Sequence, residues 1–248
     1  MSETRSAVQE QVGRLASGLT HKLRNTLNAM RAHLALLQKF LPANAPEPAV
    51  RQVAKLSSAV DHMEEVLAEV LVYTNPAADQ WEELDLLELT REVLAFLAPE
   101  LEAGRVAVTV EAGHDLPAVL VDRAKMKRAL LNLVLNARQA MADGGRLLIR
   151  ASAADRGRVA LEITDSGCGI PPEDFPRIFQ PFFSTKPGRV GLGLAIAQRT
   201  VEDSGGELTF TSHVGAGTTF RLVLPNARRW QALLERLARR RQTLQPAP

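Results

Sequence analysis

Two runs of apolar residues, each spaced alternately by three and four and parted by prolines, constrain the first third of the chain more than any other feature. From Val12 onward, apolar or small residues stand at Val12, Ala16, Leu19, Leu23, Met30 and Leu37, with Thr26 and His33 in the gaps. That is a heptad seam, and Leu15, Leu27, Leu34 and Leu41 widen it as a helix of a four-helix bundle requires. After the turn LPANAPEP, Leu41 to Pro48, a second run gives Val53, Leu56, Val60, Met63, Leu67 and Val70. Together they predict an all-α antiparallel helical hairpin over residues 1–75. A lone hairpin leaves much of each stripe in water, so two copies are expected to associate as a homodimer around a four-helix bundle. A plain oligomerisation module satisfies the same pattern.

Within the first run, GLTHKLRNTLNAM places His21 two residues beyond Leu19, which at about 100° per residue carries it off the seam towards solvent. His21 is therefore not core filler. His33 lies in the seam and His62 beside Met63, where packing or hydrogen bonding is the expected role, and His114 and His213 have no metal-ligand spacing between them. A single cysteine, Cys168, excludes an internal disulfide framework and a cysteine-built zinc site, and fits a reducing cytoplasm. No apolar run approaches the roughly 18 residues of a membrane span and no signal segment opens the chain, so no transmembrane segment and a cytoplasmic location are expected. A net charge of +2 gives no argument for nucleic acid as a partner.

Beyond YTNPAADQ, Tyr73 to Gln80, the pattern changes to that of an α/β domain over residues 80–225. ELDLLELTREVLAFLAPEL reads as a helix, RVAVTVEA and PAVLVD as strands, and Arg123 to Met141 as a helix. Strands follow in GRLLIRASA, RVALEITD, GELTFTSH and TTFRLVLP, with a helix from Leu194 to about Asp203 between the second and third of these. Largely hairpin-connected strands with helices predict a two-layer α+β sandwich.

Three stretches carry candidate chemistry. RALLNLVLNARQAM places Asn132 and Asn136 at i and i+4 on one helix face. An unpartnered half-buried amide costs on the order of 1–3 kcal/mol, so the pair needs a reason: an oxygen-ligand metal site beside phosphates, or amides capping neighbouring backbone. RVALEITD runs into DSGCGI, setting Asp165 at a strand end before Gly167 and Gly169; a carboxylate there can accept from an exocyclic amine, although DSG is also a common turn. FQPFFSTKPGRVGLGLAIAQ sets an aromatic cluster, Phe179, Phe182 and Phe183, before a polar loop, the Gly191 to Gly193 step and a helix whose N-terminus suits phosphate. Neither a Walker A loop nor a dinucleotide fingerprint occurs.

In order, NLVLNARQAM, DSGCGI, FQPFFSTKPG, GLGLAIA and GAGTTF resemble the N, G1, F, G2 and G3 boxes of sensor histidine kinases. Residues near Leu15 to Met30 are similar to their H box, and residues 80–225 to the catalytic ATP-binding domain of the gyrase and histidine-kinase superfamily. The short loop STKPGRVGLGL resembles the lid of nitrogen-regulation sensor kinases. The resemblance implies that ATP and Mg²⁺ are the cofactors. Asp165 would take the adenine amine, Asn136 with Asn132 would hold the metal against the triphosphate, and Gly167, Gly169, Gly191 and Gly193 would let backbone meet nucleotide. Lys186 and Arg189 would contact phosphate, with Leu192, Leu194 and Thr218 completing the G2 and G3 contacts. It further implies transfer of the γ-phosphoryl group to His21, then to an aspartate of a response regulator receiver domain, with Asn25 orienting a water for the reverse dephosphorylation.

Two departures stand out. The acidic residue that follows the histidine in the family, and takes its proton, is Lys22, and the following proline is Thr26. An exposed lysine stays protonated and is no base. These changes give an alternative: a kinase-impaired phosphatase or a phosphotransfer scaffold that still binds ATP. With twenty residues before His21, the input is expected through a partner or a separate sensor protein. The tail over residues 226–248 contains ARRWQALLERLARRRQ, an amphipathic pattern with six arginines. It suits a helix packed on its own ATP domain or partner subunit, or one docked on an acidic regulator or anionic lipid.

Overall fold

The structure is a computed structural model that describes residue 23 and residues 26–42, 45–74, 80–113, 116–186 and 189–232, with backbone alone for 62, 64–74 and 156. The chain divides into two compact units, Met1–Ala78 and Asp79–Pro248.

In the first unit α1 covers 26–40 and α2 covers Glu47–Thr74. Leu27 and Leu34 of α1 are buried against Val60 and Val53 of α2. Gln38 Nε2 donates to Ser57 Oγ at 3.1 Å, and Arg31 faces Asp61, so the helices run antiparallel. The leucines that widened the stripe thus join the two helices of one chain. Leu23, Met30 and Leu37 of the seam, and Leu56 and Met63 opposite, remain exposed. His33 is also exposed within the chain, because that seam is not the surface at which α1 meets α2.

The second unit opens with β1, Trp81–Leu84, where a helix was expected to have begun by Glu83. The reason is Asp85: its carboxylate accepts from the N–H groups of Leu87 and Glu88, capping α3 at Leu86–Ala103 and leaving the preceding residues to pair antiparallel with β3, Val119–Asp122. Between them lies β2, Val106–Ala112. Asp122 caps α4, Arg123–Ala140, by accepting from Lys125 N–H. Then follow β4 (Gly145–Ala154), β5 (Arg158–Asp165), α5 (Gly193–Asp203), β6 (Glu207–His213) and β7 (Gly217–Pro225).

Five strands form one sheet in the order β2-β4-β5-β7-β6, parallel between β2 and β4 and antiparallel elsewhere. Alternation along the strands sorts its faces. Leu147, Ile149, Leu161, Ile163, Phe220 and Leu222 are fully buried with Leu89 and Val93 of α3 and Met126, Leu130 and Leu133 of α4. The other face is polar and ionic: Glu162 pairs with Arg221 and Arg150, and Arg150 with Glu111. The unit is therefore a two-layer α/β sandwich.

The chain continues helically over 227–232, with Asn226 Oδ1 accepting from Arg229 N–H and Ala227 N–H donating to Ala118 O. Trp230 packs edge-on to Trp81 and over Gly205, where a Cβ would lie 2.2 Å from the indole. The described part of the tail is thus packed on its own unit; residues 233–248 lie outside the described residues. Among the described residues no helix is long and apolar enough to cross a membrane.

Candidate nucleotide-binding site

Asp165 ends β5 and is 3% exposed. Its Oδ1 accepts from Gly167 N–H at 2.8 Å and Thr218 N–H at 3.3 Å, while Oδ2 is buried with no partner among the described residues. Burial pushes the carboxyl above the usual aspartate value; the two N–H donors and the Lys186 charge pull the other way. Buried acceptors without donors are rare, and an N–H of an exocyclic amine would complete this one.

The loop after Asp165 is shaped by protein contacts. Cys168 N–H donates to Ala140 O at the end of α4, and a Cβ on Gly167 would lie 2.5 Å from that carbonyl. Gly169 has φ +73°, and its Cβ would lie 2.2 Å from His213 O. Both glycines therefore permit backbone to meet backbone, and Gly169 also supplies a positive φ. Ser212 of β6 ties the loop to the sheet: its Oγ accepts from Ile170 N–H at 2.8 Å, bonds Gly217 O at 3.1 Å and shares a 2.9 Å bond with Thr218 Oγ1. Thr218 thus holds Asp165 with its backbone and Ser212 with its hydroxyl.

Asn132 and Asn136 share one face of α4, both half-buried. Asn132 Nδ2 donates to Gly193 O at 3.1 Å, joining α4 to the start of α5. Asn136 Oδ1 instead faces Lys186 Nζ at 3.4 Å, and burial lowers the lysine's pKa. Among the described residues no cluster of histidine, cysteine or carboxylate side chains suits a metal, so a cation here would be held by amide and phosphate oxygens.

α5 begins at Gly193 with no side-chain cap, so the N–H groups of its first turn face the loop unclaimed by a capping side chain. Gly191 has φ +75°, and its Cβ would lie 2.4 Å from Phe183 O, so the loop's two ends touch. Leu192 is fully buried and Leu194 packs against the core, so contact with a ligand at Leu192 falls to its backbone. Arg189 is exposed. The aromatic cluster differs from the expected one: Phe179 meets Phe210 and Phe220 edge-on, Arg177 covers Phe183, and Phe182, at φ +66°, is exposed. His21, Lys22 and Asn25 lie outside the described residues.

Residues 121–228 match the family described as histidine kinase-, DNA gyrase B- and HSP90-like ATPase. Over 214 residues the chain is 32% identical to the signal transduction histidine-protein kinase AtoS of Escherichia coli (strain K12), covering 86% of this chain and 35% of AtoS. The catalytic domain of the histidine kinase ThkA is similar at 31% identity and a TM-score of 0.55, over 60% of this chain and 99% of that domain. The chain belongs to the sensor histidine kinase family. Full-length ShkA in complex with AMPPNP aligns at a TM-score of 0.73 and 27% identity, over 87% of this chain and 46% of ShkA. This histidine kinase chain spans less than half the length of the curated relatives it matches, 35% of AtoS and 28% of the sporulation kinase E of Bacillus subtilis (strain 168) among them.

Three residues of the site escaped the sequence reading: Ser212, Gln139 and Gly217. Gly217, at φ +102°, brings β7 so close to β5 that a Cβ would fall 1.9 Å from Asp165 O; its place in GAGTTF was the available signal. Ser212 gave none, since TFTSH reads as an ordinary strand end. Gln139 sits three residues after Asn136, a spacing that shares its face and could have singled it out.

Proposed function

We propose that the chain is an ATP-dependent protein histidine kinase that phosphorylates its own His21 and passes the phosphoryl group to an aspartate of a response regulator receiver domain. The buried, unpartnered Asp165 Oδ2 carries this reading, because it selects a ligand with an amine donor at the site where the family binds ATP. Asp165 accepts from the adenine amine while Gly167 and Thr218 hold its other oxygen. The open first turn of α5 and the Lys186 ammonium meet the phosphates. Asn136, with Asn132, would hold Mg²⁺, which would supply positive charge to offset that of the phosphates. A ring nitrogen of His21 bonds to the γ-phosphorus as the bond to the bridging oxygen breaks and ADP leaves; an unprotonated imidazole near neutral pH suits that attack.

Several features extend the reading. ThkA, similar to this chain at 25% identity and a TM-score of 0.66, has been solved in complex with the response regulator protein TrrA, which supports a receiver domain as the partner. The exposed line of Leu23, Met30 and Leu37, spaced by seven, supports a homodimer through α1 and α2. The free Cys168 suits the cytoplasm, and Asn25 supports a phosphatase activity towards the regulator.

Lys22 favours a second reading, an ATP-binding phosphatase or phosphotransfer scaffold with impaired autophosphorylation. Incubation with γ-labelled ATP and Mg²⁺ decides between them. Acid-labile label on the wild type and none on His21→Ala is expected; an unlabelled wild type that still dephosphorylates a regulator would establish the second reading instead.

A further inference from the structure

The loop before α5 reaches back to α4 through one side chain. Lys186 Nζ lies 3.3 Å from Gln139 Oε1, 3.4 Å from Asn136 Oδ1 and 3.5 Å from Asn136 O. An ammonium has three donors and no acceptor, and three oxygens match it. Asn136 and Gln139, at i and i+3, present their amides on one face. Both lie near the C-terminus of α4, where the helix dipole favours a cation. The lysine backbone is fixed independently: Lys186 N–H donates to Ser184 Oγ and Ser184 Oγ donates to Lys186 O, each at 3.1 Å. The backbones of Phe183 and Gly191, at the two ends of the loop, lie against each other.

All three oxygens are neutral. They orient the ammonium without cancelling its charge, so it remains a net cation for phosphate, whereas a carboxylate in the same place would neutralise it. Asn136 alone would hold the lysine poorly, because on the nucleotide reading its Oδ1 also serves the metal. Gln139 has no such second duty. We propose that Gln139 is a positioning residue that holds the Lys186 ammonium beside Asn136, so that α4 rather than the loop sets where this cation meets the phosphates of the nucleotide.

The proposal rests on the nucleotide reading, and calorimetry on the full chain with ADP and with adenosine separates the two. Gln139→Ala is expected to weaken ADP by about tenfold, the scale of one hydrogen bond to a charged group, and adenosine by less than about twofold. In a Lys186→Met background the same change should add no further loss, since there is no ammonium left to place. Equal losses for both ligands would make Gln139 merely structural. Unchanged ADP affinity, or a full tenfold loss without Lys186, would also overturn the proposal. A wild-type chain that binds neither ligand would overturn the nucleotide reading itself.

Discussion

Replacing Asp165 by asparagine separates what the carboxylate does to the fold from what it does for the ligand. Asparagine keeps Oδ1, so the bonds from Gly167 N–H at 2.8 Å and Thr218 N–H at 3.3 Å survive. It exchanges the unpartnered Oδ2 for an NH₂ group and removes a buried charge. An unpaired buried amide costs about 1–3 kcal/mol, against a buried charge that two N–H donors and Lys186 offset only in part, so the nucleotide-free variant should melt near the wild-type midpoint. Binding moves the other way. The adenine amine loses a charged acceptor, about 1.5–3 kcal/mol, and meets a donor that leaves both groups unpaired, about 1–3 kcal/mol more. Together these correspond to roughly 10²- to 10⁴-fold in affinity. A non-hydrolysable ATP analogue at about 100 times the wild-type Kd should stabilise the wild type by about 2.7 kcal/mol, roughly 5–10 °C, and the variant by about 1 °C at most. Scanning calorimetry of both proteins with and without the analogue reads all four midpoints. A variant that keeps the ligand-induced rise, or whose free form melts several degrees low, would refute the assignment of Oδ2 as the amine acceptor.

Affinity for the analogue should fall as pH drops through the raised pKa of Asp165, because protonation turns Oδ2 from acceptor to donor; calorimetry across pH checks it. The contribution of Asp165 to stability runs oppositely: between the usual aspartate value and the raised one the folded state binds more protons, so this contribution falls as pH rises, and urea titrations of wild type and Asp165→Asn compared across pH isolate it. Trp230→Ala should cost about 3–5 kcal/mol in urea unfolding through lost packing on Gly205 and Trp81, whereas Trp230→Phe should stay within about 1 kcal/mol because it also removes an indole N–H that has no partner among the described residues. If the proposed dimer forms through this exposed line, Met30→Glu with Met63→Glu should leave the chain monomeric by light scattering, with ADP affinity unchanged. Lys22→Glu should raise the single-turnover rate of His21 labelling, general-base help being worth about 10²- to 10⁴-fold; a slower variant would make Lys22 an electrostatic contributor, and Asn25→Ala should chiefly slow regulator dephosphorylation.

The fold was legible wherever one physical signal acted alone. The α4 run was expected to end at Met141 and ends at Ala140, because a continuous apolar stripe behind the Asp122 cap leaves few alternatives. Trp81–Leu84 was not legible, since WEEL and the helix after it form one unbroken polar and apolar pattern and only the Asp85 cap parts them. The partner of β1 is β3, which lies beyond α3 and β2, and no local propensity encodes that pairing. In α1 both lines of leucines were visible, but spacing gives no rule for which meets α2 within one chain and which is left for another. Leu27 and Leu34 took the first role, and Leu23, Met30 and Leu37 stay exposed.

The site was legible in its charged and amide residues and obscure in what supports them. Asp165 and Asn136 stand out because burying such groups needs a reason and the sequence around each predicts burial, whereas Lys186, in a polar loop, was singled out by the family resemblance alone. Glycine is ambiguous by comparison. Gly167, Gly169 and Gly217 each face a carbonyl of the protein itself, Ala140, His213 and Asp165 in turn, at distances no Cβ could share. They place the loop and β7 so that two backbone N–H groups converge on one carboxylate oxygen and leave the other bare. On the nucleotide reading the glycines would therefore serve the ligand indirectly, through Asp165. An alanine at Gly217 should impair binding of the analogue by displacing Thr218 N–H from Oδ1, whether or not any part of the nucleotide touches residue 217.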